Sequence, residues 1–252
     1  MSAGPPTPAG DGSREETPEP MRVELGARIL RVRFAAPQRV VSWAISGGGA
    51  RRASEVIWLE VDDHELRPPV DARSYVRARL QQAGAPHAVA LLTSRRLHAY
   101  VDHRVEHDLG AERPLSARCI ATVGLGNALR AGDLPGPSAR IGTINVLCAL
   151  SSPLAPEAML EALALAAEAR TLAVREATVP SRRSGLPASG TGTDCIAIAA
   201  PALAAPLGRA GRYAGKHTAV GHVIGAAVES AVRRGVEQWL LERAGSKQEG
   251  RS

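Results

Sequence analysis

The sequence predicts an α/β protein, a single domain in which a mixed β-sheet carries packed helices, and three observations lead there. Apolar runs bounded by polar residues, at 87–93, 117–123, 141–150 and 195–199, have the length and composition of buried strands. Longer segments at 71–82, 155–177 and 218–241 place apolar residues at helical spacing. The early strands follow one another with no helix between them, which an all-parallel sheet does not allow, so the sheet is mixed.

Taken in order, residues 1–20 are rich in Pro, Gly, Ser, Thr and Glu with nothing apolar enough to pack, and are expected to stay disordered. Met21 is a second candidate start. The domain then runs from 21 to 243, and the polar stretch 244–252 is expected to fray as a tail. From 21 to 34 apolar and basic residues alternate, with Ile29, Val32 and Phe34 set against Arg28, Arg31 and Arg33, as in one half-exposed strand. A second strand, 39–45, runs into Ser46-Gly47-Gly48-Gly49, which is either a turn or a place where backbone N–H groups come within reach of a ligand. Residues 56–61 read as a third strand. The 71–82 helix opens on Asp71 and closes at Gly84. His98, His103 and His107 lie among Arg104, Glu106 and Asp108 without an apolar frame, so they read as a solvated face and not as a metal site. The last helix carries Gly221 and Gly225 one turn apart, a small-residue face that can approach a neighbour closely.

Composition narrows the function. A hydrophobic content of 44% over 252 residues is enough for one full core. The charge of +6 is spread as isolated arginines, and aromatic content is 3%. Neither a base-stacking platform nor a basic block is present, so a nucleic-acid partner is not expected. There is no run of eighteen apolar residues and no apolar leader in 1–20, which predicts a cytoplasmic protein with no membrane partner. Cys119, Cys148 and Cys195 are too few and too far apart for a metal-ligand pattern, and read as buried thiols. No cofactor is called for.

Residue scarcity then points to a site. Of 31 basic residues only Lys216 and Lys247 are lysine, and Lys216 alone lies in the predicted domain. Arginine is a rigid, permanently charged fork, whereas lysine is a compact ammonium whose pKa moves on burial. Asparagine is as rare: Asn127 and Asn145 both stand in glycine-bearing runs.

Several short motifs occur in order: Ser46-Gly-Gly-Gly49, Val123-Gly-Leu-Gly-Asn-Ala128, Gly142-Thr-Ile-Asn145, Glu168-Ala-Arg-Thr-Leu-Ala173, Thr191-Gly-Thr-Asp194 and Tyr213-Ala-Gly-Lys-His-Thr218. In these the chain resembles the adenosylcobinamide amidohydrolases, the CbiZ family of cobalamin salvage, over roughly 22–241. Cys195 departs from the pattern, since the family typically has a small apolar residue there, which speaks against a cysteine nucleophile. The resemblance implies a corrinoid substrate, adenosylcobinamide. It implies hydrolysis of the amide between the aminopropanol arm and the corrin ring, giving adenosylcobyric acid.

Roles for individual residues come from the chemistry. Amide hydrolysis needs an activated water or nucleophile, donors for the oxyanion and an acid for the departing amine. Asp194, after a glycine turn, and His217, at a helix start, are the expected proton handlers, each with a structural alternative as loop acceptor or helix cap. Lys216 is the third catalytic candidate, stabilising the oxyanion or acting on Asp194. Substrate contacts are expected from Ser46, Gly47, Gly48, Gly49, Asn127, Asn145, Thr191, Thr193 and Thr218. Thr191 and Thr193 lack an N-terminal amine as base, which favours a water mechanism. Asp194 and His217 are expected to approach one shared water.

Two other classes stand beside this one. Gly215-Lys216 followed by Thr218 partly matches a phosphate-binding loop, but Ala210 and His217 occupy places that need Gly and Ser or Thr. A corrinoid-binding module without catalysis fits the same spacings. A chain shortened to begin at Met21 should keep its activity and melting temperature; loss of folding would show that the first twenty residues belong to the core.

Overall fold

The computed structural model describes residues 20–249 apart from 63, 112–113, 137–140 and 203–210, so the predicted tail lies outside the described residues except for Pro20. Among the described residues ten strands and three α-helices are formed, β1 (Met21–Gly26), β2 (Ile29–Ser42), β3 (Gly49–Glu60), α1 (Ala72–Gln82), β4 (Val89–Thr93), β5 (Val101–His107), β6 (Leu115–Val123), β7 (Ala128–Leu129), β8 (Ile144–Leu150), α2 (Pro156–Glu176), β9 (Gly190–Thr191), β10 (Cys195–Ala200) and α3 (Ala219–Glu249). Eight strands make one sheet in the order β4-β3-β2-β10-β8-β6-β5, with β1 also paired to β2, while β7 and β9 form a separate two-stranded ribbon. The β3–β4 and β8–β10 pairs are parallel and the other pairs of the sheet antiparallel, so the fold is the mixed α/β domain that the sequence predicts.

The long strand β2 folds this sheet over on itself. Its first half pairs with β1 and its second half with β10, and its register with β3 shifts between Arg33 and Gln38. Such an irregularity bends a strand and strengthens its twist. Leu30, Val32, Trp58 and Leu91 from one half of the sheet therefore share a core with Ile120, Leu147 and Ala197 from the other. The outer face of β8, β6 and β10 is covered by α2 and α3 through Ala162, Ala166, Val223 and Val232. Val76 and Leu80 of α1 cover Ile57 and Leu59 of β3. The layers thus run helix, sheet, sheet, helix. Because β8 and β10 are parallel neighbours, the chain must cross over between them, and α2 makes that crossing.

Several boundaries differ from expectation for local reasons. Residues 21–34 are two strands, not one, broken at Gly26 with Arg28 at φ 60°. The glycine run ends by starting β3, where Gly49 pairs with Ser42. The histidine-bearing segment is edge strand β5, whose alternating charges hid its pairing with β6. Helix α3 continues through Glu249, so 244–249 extend a helix where a frayed tail was expected.

Asp71 caps α1 by accepting from the Ser74 amide at 2.8 Å. Just before it, Glu65 ties α1 to the β1–β2 turn. Its carboxylate accepts from Arg28, from the Asp62 amide at 2.7 Å and from the Tyr75 hydroxyl at 2.9 Å. The Arg28 hydrogen bond, aided by the others against the effect of burial, holds its pKa down to about 2, from 4.5. A carboxylate whose folded pKa is depressed contributes stability above its unfolded pKa and loses it as pH falls through the folded one. Glu65→Gln should therefore flatten the fall in unfolding free energy between pH 4.5 and 2, measured by urea titration; an unchanged slope would show that the contact contributes nothing.

Candidate active site

Two side chains of α2 organise the region where the sequence motifs meet. Glu168 and Arg170 are two residues apart and so project about 200° from each other around the helix. Arg170 points inward and pairs with Asp194, the residue before β10, while also donating to the Ser189 carbonyl at 3.1 Å. Glu168 points outward and pairs with Lys216.

Asp194 is 7% exposed at its side chain, and Arg170 14%. Besides Arg170, the Asp194 carboxylate accepts from the Ile144 amide at 2.9 Å, the Thr191 amide at 2.9 Å and the Thr191 hydroxyl. A carboxylate offers about four acceptor sites, and all four are taken. Thr191 is thus a partner of Asp194 and not a free hydroxyl. Gly190 lies so close that a Cβ there would overlap both Arg170 and Asp194. The Asp194 side chain clamps the 189–194 loop onto α2 and β8.

Further bonds join the other motifs to this clamp. Thr193 donates to the Gly142 carbonyl at 3.0 Å and Thr143 to the Thr193 carbonyl at 2.9 Å. The Trp43 indole, just ahead of the glycine run, donates to the Asp194 carbonyl at 2.7 Å. Asn145 is 1% exposed and its amide reaches across the two sheet layers to the Leu92 carbonyl at 2.6 Å. Asn127 is buried, with its side-chain oxygen unpartnered among the described residues.

The glycines of these motifs serve backbone contact. A Cβ on Gly126 would strike the Ile141 carbonyl, and one on Gly142 would meet the Gly124 carbonyl at 2.7 Å. On Gly47 it would lie 2.9 Å from the Val89 Cα, and on Gly48 2.5 Å from the Ala44 carbonyl oxygen. The Ser46 carbonyl accepts from the Ala90 amide at 2.9 Å, closing the edge of β4. Gly49, held at φ 85°, and Gly215 face open space.

The open side of the region is a groove of about 750 Å³ between α2 and α3, a volume that suits a small-molecule ligand. Leu165, Ala169 and Ala226 line its apolar floor, and Lys216, Glu168 and His222 are among its polar lining. Ser189, which accepts from Arg170, connects the groove to the clamp. Lys216 therefore stands at the groove. His217 is exposed beside it and bonds to none of these groups. Thr218 caps α3, accepting from the Gly221 amide at 2.9 Å and donating to the Gly215 carbonyl at 2.8 Å. It lines a second cavity together with Leu150 and Pro201, which lie at the C-terminal ends of β8 and β10, whereas Asp194 adjoins their N-terminal ends. The Asp194 carboxylate, expected to share a water with His217, is occupied by protein donors, and no hydrogen bond joins it to His217 among the described residues.

The three thiols are buried and unpaired. Burial pushes Cys195 up to about 11 and Cys148 up to about 12, so neither is a thiolate at neutral pH. The side chains that sequence reasoning left without a role are Glu168, Arg170 and His222; the first two were visible inside the Glu168-Ala-Arg-Thr motif.

Asp194→Asn should lower stability by about 3 kcal/mol, because it leaves Arg170 buried without its counter-charge. Chemical denaturation checks this. A variant of wild-type stability that has lost only turnover would restore Asp194 as a proton handler.

A curated relative, an uncharacterized protein of Methanocaldococcus jannaschii, is 34% identical over 97 residues, which are 38% of this chain and 36% of the relative. The chain thus matches about a third of that relative's length. Among solved structures, a Pyrococcus horikoshii protein aligns over 85% of this chain and 77% of its own, at 9% identity and a TM-score of 0.44. The L-aminopeptidase D-Ala-esterase/amidase of Ochrobactrum anthropi, described as a variant of the Ntn hydrolase fold, aligns over 86% and 82%, at 11% identity and a TM-score of 0.40. The family model of the adenosylcobinamide amidohydrolases matches residues 15–244, nearly the whole chain, and this protein belongs to the CbiZ family.

Proposed function

We propose that the protein hydrolyses the amide joining the aminopropanol arm to the corrin ring of adenosylcobinamide, releasing adenosylcobyric acid for cobalamin salvage in the cytoplasm. The observation that carries this reading is the Lys216–Glu168 pair, formed between two of the family motifs at the edge of the α2–α3 groove. The corrin ring occupies the apolar floor, and its amide carbonyl takes the place of Glu168 beside the Lys216 ammonium. Glu168, thereby freed, removes a proton from the attacking water. Lys216 stabilises the oxyanion, and Glu168 then delivers its proton to the departing amine. Water is the nucleophile, and the hydroxyls of Thr191 and Thr193 stay with their protein partners.

In this reading Asp194, Asn145 and the glycine loops shape the site, and His217 is peripheral. Purified protein should convert adenosylcobinamide to adenosylcobyric acid without added nucleotide, followed by chromatography; a strict need for ATP would instead favour the nucleotide-binding alternative. Glu168→Gln should reduce turnover at least about a hundredfold with binding retained, and His217→Ala should leave it within a few-fold. Lys216→Arg keeps the charge and the ion pair but loses compactness, so it should also slow turnover. Corrinoid binding without any turnover would favour a binding module.

A further inference from the structure

We propose that His222 is an axial ligand to the cobalt of the bound corrinoid, and that His107 holds its imidazole for that task. The inference rests on the corrinoid reading above. His222 lines the α2–α3 groove. Neither of its ring nitrogens is hydrogen-bonded to a described residue, and what its ring meets is another imidazole: His107 of β5 packs against it edge-on, with centroids 5.4 Å apart and planes at 66°. A neutral imidazole is among the commonest protein ligands for a metal, and a ligand ring requires a second group that fixes its orientation.

The helix surface next to His222 is open. Gly225, three residues on, also lines the groove, and a Cβ there would meet nothing within 4 Å. A helix-interior glycine costs about 1 kcal/mol relative to alanine, and no neighbour requires it at this position. Gly221 differs, because a Cβ there would strike the Gly215 carbonyl. The bare backbone at Gly225 leaves room for a flat macrocycle to lie on α3 with its metal toward the histidine.

The chemistry is a ligand exchange. Cobinamide lacks the nucleotide base, so the lower face of its cobalt carries water. The His222 lone pair replaces that water, which leaves to solvent. Cobalt remains Co(III), and its bond to the adenosyl carbon is untouched. The corrin is thereby held at its centre while its propionyl arm reaches Lys216.

The test is the visible spectrum of adenosylcobinamide mixed with the full chain, read beside equilibrium dialysis of the same corrinoid. The wild type should bind and shift the corrin absorption in the manner of nitrogen ligation. His222→Ala should abolish the shift while retaining measurable binding, and His107→Ala should shift a smaller fraction. Gly225→Leu, which fills open space and leaves the fold intact, should prevent binding. Wild-type binding or turnover with an unshifted spectrum overturns the role of His222 and leaves the proposed reaction standing. Absence of both binding and turnover overturns the two together.

Discussion

The buried pair between Arg170 and Asp194 is the interaction on which the remaining geometry depends. Burying two charges is favourable only when their other bonding capacity is met, and here Ile144, Thr191 and Ser189 meet most of it. The pair joins three elements that are distant in sequence: the middle of α2, the entry to β8 and the entry to β10. It also fixes the rotation of α2. With Arg170 turned toward Asp194, Glu168 must face the groove, and the position of Lys216 follows. A salt bridge of this kind is weak evidence for stability and better evidence for registry.

The glycine-rich motifs depend on the same packing. Two loops, 124–127 and 141–143, lie backbone against backbone, and a third turn carries Gly190 into the narrow space at Arg170 and Asp194. Side chains at these positions would push the loops apart and withdraw the Ile144 amide from its acceptor. Glycine is required there because polypeptide touches polypeptide. Gly225 meets nothing, lies inside a helix and lines the groove, so there the approach of a ligand offers a reason for glycine.

Much of this was legible in the sequence. The helices and the buried strands announced themselves by period and composition, and α1 by its cap at Asp71. The scarcity of lysine led to Lys216, which does stand at the groove. What could not be read was partnership. Nothing local to Asp194 indicates that an arginine 24 residues earlier will saturate it, so a buried structural carboxylate looked like an available base. Strand β5 was missed because only Val101 and Val105 of its four inward positions are branched apolar residues, the other two being His103 and His107. The two-residue strands β7 and β9 are too short for any period and exist only because the clamp brings their loops together.

The lysine argument gains its physical content from exposure. The side chains of Lys216 and Glu168 are 63% and 57% exposed, and a solvated ion pair contributes about 1 kcal/mol or less. Stability therefore gives little reason for a lysine in a chain that uses arginine almost everywhere else. Arginine would bind the carboxylate more tightly through its fork. A pair meant to open when a substrate carbonyl arrives is better built from a compact ammonium that is easily drawn away. The weakness of the contact is then what fits it to the proposed reaction, in contrast to the clamp behind it, which must not open at all.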